Sequence, residues 1–129
     1  MILLMLLTSR AKKASLAKLH VINDAVRSPS AQKRLARIIA GDASPTEWRV
    51  RVEPAFGRAV NFLVGEKFAS WTKTSQRAAL QLTKLGIEAA SKVSASDEVL
   101  EEEKLFLKNV APSLTEQFVT DLLEAGNRR

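Results

Sequence analysis

Three features of the 129-residue sequence predict a mainly α-helical fold with one small β-hairpin. Apolar residues recur at spacings of three and four through most of the chain, Ser or Thr stands at the head of several of these runs, and two short apolar segments flank the polar stretch 73–77. The composition, 46% apolar and 26% charged with four Pro and five Gly, is that of a globular chain with a packed core.

The first element is the apolar run Met1, Ile2, Leu3, Leu4, Met5, Leu6, Leu7, read as a core helix. No basic residue precedes it, Arg10, Ala11, Lys12 and Lys13 stand where a small-residue cleavage site would lie, and a bilayer takes about 20 apolar residues. Neither a signal peptide nor a membrane span is expected, and a cytoplasmic location follows, in keeping with the absence of Cys.

Ser15 caps a second helix through Leu16, Leu19, Ile22 and Val26, which stops at Ser28 and Pro29. Ser30 opens a third over 31–40, with Leu35, Ile38 and Ile39 inward, Lys33, Arg34 and Arg37 outward, and Gly41 as its left-handed cap. After the loop 41–45, Trp48, Arg49, Val50, Arg51 and Val52 alternate apolar and basic groups, as a short extended lead-in does. Pro54 suits the first turn of a helix over 54–66, where Ala55, Phe56, Ala59, Val60, Phe62 and Leu63 form a wide stripe and imply that most of the surface is buried.

Segments 68–72 and 78–82 then read as a hairpin with a basic tip at 73–77, and Thr83 caps a helix over 84–93 with Leu85, Ala89 and Val93 on one face. Helix, hairpin and capped helix in this order are the layout of a winged helix-turn-helix, with 54–66 in the recognition-helix position and 73–77 as the wing. Two more helices follow: one over 97–110 with an acidic start, and one over 114–125 behind the capping box Ser113, Leu114, Thr115, Glu116, ended by Gly126. The fold class is thus mainly α with a small β-hairpin, a winged helix-turn-helix with two appended C-terminal helices.

Charge divides the chain at the same place. Residues 1–93 carry 16 Lys/Arg against 6 Asp/Glu, whereas residues 94–129 carry 4 against 8, within a net charge of +6. The expected organisation is a winged-helix body, 1–93, and an acidic two-helix extension, 94–129, packed on the body or on a partner. A basic body suits a phosphate backbone or an acidic protein surface.

Catalytic parts are scarce. Without Cys, and with His20 as the single His, disulfides, Cys-based zinc sites and thiolate chemistry are excluded, and no convergent set of groups forms a metal site or triad. The glycines are scattered and none stands in a GxxxxGK run, so the chain carries no ATPase loop. No cofactor, metal, catalytic residue or small-molecule substrate is expected. Helix 54–66 is also thin as a base reader, offering Arg58 and Asn61, since readout relies on Arg, Lys, Asn or Gln reaching groove edges. With Arg49, Arg51, Lys73 and Arg77 these are the candidate DNA contacts, able to hold phosphates without reading sequence. Glu101, Glu102, Phe106 and Phe118 are the candidate partner contacts of the tail.

The strings "LAKLHVINDAVRSP", "RVEPAFGRAVNFLVGEKF", "LQLTKLGIEAASKV" and "EEEKLFLKNVAPSLTEQFVTDLL" extend over nearly the whole chain. Together they resemble the small middle components of bacterial ABC-three-component systems, the group that includes the accessory subunit of Lamassu-type anti-phage defence. The resemblance implies a winged-helix, non-catalytic subunit joining an SMC- or Rad50-like ATPase to an effector, often a nuclease, with double-stranded DNA as a further contact and no membrane partner. The other reading of the same elements is a free-standing winged-helix transcription regulator that binds an operator as a dimer.

Overall fold

The computed structural model describes residues 1–48, 54–74, 76–96 and 101–127. Within them the chain is mainly helical, with a three-stranded antiparallel sheet in the order β1-β3-β2. Helix α1, Ile2–Leu7, buries Ile2, Leu4, Met5 and Leu6. The Ser9 hydroxyl turns back to donate to the Met5 carbonyl at 2.7 Å, an acceptor that the end of the helix leaves open, and the Thr8 hydroxyl donates to the Leu4 carbonyl at 2.8 Å, which also accepts the Thr8 N–H. A 3-10 turn at Arg10–Lys12 then leads into strand β1, Lys13–Ser15, which pairs with β3 in the register Lys13↔Gln81, Ala14↔Leu80, Ser15↔Ala79.

Helix α2, Leu16–Val26, starts where the sequence places it: the Ser15 hydroxyl accepts from the Lys18 N–H at 3.0 Å. Helix α3, Pro29–Ile39, begins earlier than expected. Its cap is Ser28, which accepts from the Ala31 N–H at 3.2 Å, and Pro29 fills the first turn, where its missing N–H is harmless. Ser30 therefore lies inside the helix. Gly41 has φ +85° at the exit, as its position after the last apolar residue requires. Of the extended lead-in, Trp48 is extended and buried, and 49–52 lie outside the described residues.

Helix α4, Pro54–Gly65, is less buried than its composition implies. Only Phe56, Val60 and Leu63 are buried, a narrow stripe at i, i+4 and i+7, whereas Ala55 and Ala59 are exposed and Phe62 is 62% exposed. Strands β2, Ala69–Thr74, and β3, Arg77–Leu82, extend the hairpin into the expected tip, so that Thr74 pairs with Arg77. Helix α5, Lys84–Ala95, is capped by Thr83, which accepts from the Gly86 N–H at 3.0 Å. The inward face of α5 is Gly86 and Ala90, with Ala89 and Val93 half-buried and Leu85 exposed; the expected face was rotated by one residue.

Helix α6, Glu101–Val110, turns Phe106 and Leu107 inward, and the Lys104 ammonium donates to the carbonyls of Ser94 and Ser96, tying α6 to the end of α5. Residues 97–100, the expected start of this helix, lie outside the described residues. Helix α7, Glu116–Asn127, is capped by Thr115, which accepts from the Phe118 N–H at 3.1 Å, and not by Ser113, which sits in a 3-10 turn. The helix passes through Gly126 instead of ending at it. Phe106, Leu107, Leu114, Val119 and Leu122 join Leu6, Leu19, Leu35 and Leu80 in one hydrophobic cluster, so the tail packs on the body. No helix among the described residues is long and apolar enough to cross a membrane.

Candidate functional site

The sequence-predicted basic contacts do not gather into one face. Arg49 and Arg51 lie outside the described residues. Arg58 and Asn61 stand three apart on α4 and are both exposed, beside Phe62. Lys73 is exposed on β2 opposite Ala78, and Arg77 lies opposite Thr74. Side chains alternate across a strand, and cross-strand partners share a face, so Lys73 and Arg77 point to opposite sides of the hairpin. Arg77 is also half-buried, and its Nη1 is buried with no hydrogen-bond partner among the described residues. The hairpin therefore offers one free cation, Lys73, among its described candidates.

The outward side of α4 has a different character. Phe62, Ala55 and Ala59 line an open groove of about 400 Å³ with Met1, Leu3 and Asn23, floored by Phe56 and Leu63. A large aromatic ring that stays in water beside small side chains is an apolar surface without a cover among the described residues. Trp71 on β2 is a second ring left 49% exposed. Of the tail candidates, Glu101 and Glu102 are exposed, but Phe106 is 7% exposed and Phe118 half-buried, both packed into the chain's own core. The apolar group that α6 presents outward is Leu105, 62% exposed. His20 packs its ring 4.5 Å from that of Phe56. No group of three His, Asp or Glu among the described residues could hold a metal ion.

A charged cleft of about 320 Å³ was not legible in the sequence. Its walls come from the 3-10 turn (Arg10), β1 (Lys13), α2 (Lys18), the hairpin (Thr74) and the head of α7 (Thr115, Glu116). One Glu116 oxygen accepts from the Ser15 N–H at 3.2 Å; the other is buried with no hydrogen-bond partner among the described residues. The Lys18 ammonium donates to the Ala111 carbonyl at 3.3 Å. Burial pushes the Lys18 pKa below the ordinary lysine value, Glu116 opposes that shift, and Arg10 adds to it. Arg10, Lys13 and Lys18 lie within nine positions of one another, but Thr74, Thr115 and Glu116 are distant in the chain and reach them through strand pairing and tail packing.

In comparison with known proteins, no family model, no characterised protein and no solved structure matches this chain significantly.

Proposed function

We propose that this chain is a non-catalytic winged-helix adaptor that joins an SMC- or Rad50-like ATPase to an effector, such as a nuclease, in an anti-phage defence complex. In that reading its basic body touches double-stranded DNA without sequence preference. The order helix, strand, helix, helix, helix, hairpin and the sheet order β1-β3-β2 suit the winged-helix part of the proposal.

The observation that carries the adaptor over the regulator is Phe62. A helix that reads bases presents hydrogen-bonding side chains to the groove. Here the exposed side of α4 offers a 62% exposed Phe62 with Ala55, Gly57 and Ala59 around it, and only Arg58 and Asn61 as polar readers. Aromatic anchors on a smooth surround are what protein interfaces use.

The test is co-expression with a coiled-coil ATPase encoded beside this chain, followed by purification on a tag carried by this chain. The wild type is expected to retain the ATPase. Phe62→Arg is expected to lose it while melting at the wild-type temperature, because an exposed side chain holds no core together. Retention of the ATPase by Phe62→Arg would remove α4 as the interface. Selection of a sharp palindromic motif from random duplexes would replace the adaptor with the regulator.

A further inference from the structure

Between α3 and α6 runs an open groove of about 500 Å³. Pro29, Gln32 and Ala36 of α3 form one wall, Asn109 of α6 stands on the other, and Phe106 with Val110 makes the floor. The lining is largely apolar, and Leu105, 62% exposed, stands on the α6 lip. A bare leucine alone needs no explanation, but one set at the rim of an apolar groove makes a continuous patch.

The two lips carry opposite charge. Lys33 lines the groove on the α3 side, Arg34 and Arg37 stand beside it on the same outward face, and no acidic residue lies from Pro29 to Gly41. Glu102 lines the groove on the α6 side, next to exposed Glu101. None of these five charged side chains has an ionic partner among the described residues. Lys104, one turn along α6 from Glu101, is taken by the carbonyls of Ser94 and Ser96.

We propose that this face is the interface of a homodimer: a second copy of the chain, related by a two-fold axis, lays its Leu105 in the groove and sets its Glu102 against Lys33, while its own groove is filled in return. An isologous interface demands that one patch hold both members of every contact. This patch holds an apolar knob and an apolar hole, a cationic lip and an anionic lip. A partner of one charge would meet attraction on one lip and repulsion on the other, whereas a copy turned by half a turn sets each lip against its opposite. The face shares no residue with the groove around Phe62, so the dimer stands or falls apart from the adaptor reading.

The experiment is sedimentation velocity of the full chain over a concentration series from the micromolar to the millimolar range. The wild type is expected to pass from monomer to dimer and to stop there, with a midpoint that rises as salt screens the ion pairs. Leu105→Glu is expected to stay monomeric while melting as the wild type does, because an exposed side chain holds no core together. Phe62→Arg is expected to dimerise as the wild type does. Lys33→Glu and Glu102→Lys each set like charges together twice in a dimer, and each is expected to raise the dissociation constant about tenfold or more. Mixed in equal amounts, these two variants are expected to form a heterodimer at close to the wild-type affinity, because every contact then joins opposite charges.

The proposal is overturned if the wild type stays monomeric through the series, which would leave the groove to a different protein, or if it assembles beyond a dimer, which would mean a head-to-tail contact. It is equally overturned if Leu105→Glu dimerises as the wild type does, if Phe62→Arg abolishes the dimer, or if the mixture of charge variants gains nothing over its components. Should Leu105→Glu fail to fold, the mixture decides.

Discussion

Gly86 lies directly against the carbonyl of Phe68: a Cβ added at Gly86 would overlap that oxygen and come within 3.1 Å of the Leu82 side chain. The contact belongs to a junction where four elements meet. The Thr83 hydroxyl donates to the Lys67 carbonyl at 2.6 Å, the Thr83 N–H donates to the Phe68 carbonyl at 3.1 Å, and the same hydroxyl caps α5. Lys67, at φ 65°, turns the chain out of α4 into β2.

Gly86→Ala is therefore expected to destabilise the fold by about 1–3 kcal/mol, the usual penalty of forcing a side chain into filled space. Gly57→Ala is the contrast. Nothing lies within 4 Å of its added Cβ, it sits inside α4 without a positive φ, and the change is expected to stabilise by about 0.4–1 kcal/mol through the unfolded chain. Urea unfolding of the two variants checks both signs.

The caps give a second pair. Ser28→Ala removes the acceptor of the Ala31 N–H and is expected to cost about 1 kcal/mol, whereas Ser30→Ala, one residue inside α3 and exposed, should change stability by less than about 0.5 kcal/mol. Equal effects in thermal melts would mean that the helix starts at Ser30.

Lys18 predicts the direction of a pH effect. Its folded-state pKa is lowered by burial, so the unfolded chain binds the proton more tightly. Between the lowered value and the ordinary value of 10.5, the unfolded state holds more protons and this group makes stability rise with pH; below the lowered value its penalty is present in full. The difference in unfolding free energy between the wild type and Lys18→Met should therefore shift in favour of the wild type as pH climbs through that window. A difference that stays flat from pH 7 to 10.5 would contradict the burial of this ammonium.

On the hairpin, Lys73→Glu alone is the informative change. Gel shifts on mixed-sequence duplex should show weaker association, and the slope of log K against log salt should fall by about 0.9, one phosphate contact. Arg77→Glu is unsuited to the same purpose, because Arg77 is half-buried with its Nη1 out of water, and a carboxylate there would disturb the fold as well. Unchanged binding by Lys73→Glu would take the hairpin away from DNA.

Local chemistry in the sequence located what is local in the structure. Ser15 and Thr83 cap the helices expected of them, Gly41 takes the left-handed exit, and the hairpin forms where two apolar segments flank a polar stretch. Some departures are local, since α3 is capped by Ser28 and not opened by Ser30, and α7 is capped by Thr115 and runs through Gly126; the others are long-range. β1 has three residues and no periodicity of its own; it is a strand because β3 offers it a partner. On α5, residue size decided the face: α1 and Phe68 approach closely enough that Gly86 and Ala90 turn inward and Leu85 is left outside. Phe62 illustrates the converse, since an apolar residue in an apolar helix reads as core unless the position of its neighbours is known. The charged cleft draws on five elements, and no spacing along the chain could announce it.

The bond from the Ser15 N–H to Glu116 spans 101 positions. Closing so long a loop costs roughly 4 kcal/mol of chain entropy before any contact rewards it. The β2–β3 hairpin and the helix caps, built from near neighbours, carry no such cost, so the contacts of α7 with the head of α2 hold only where the packing of Leu114, Val119 and Leu122 repays that closure.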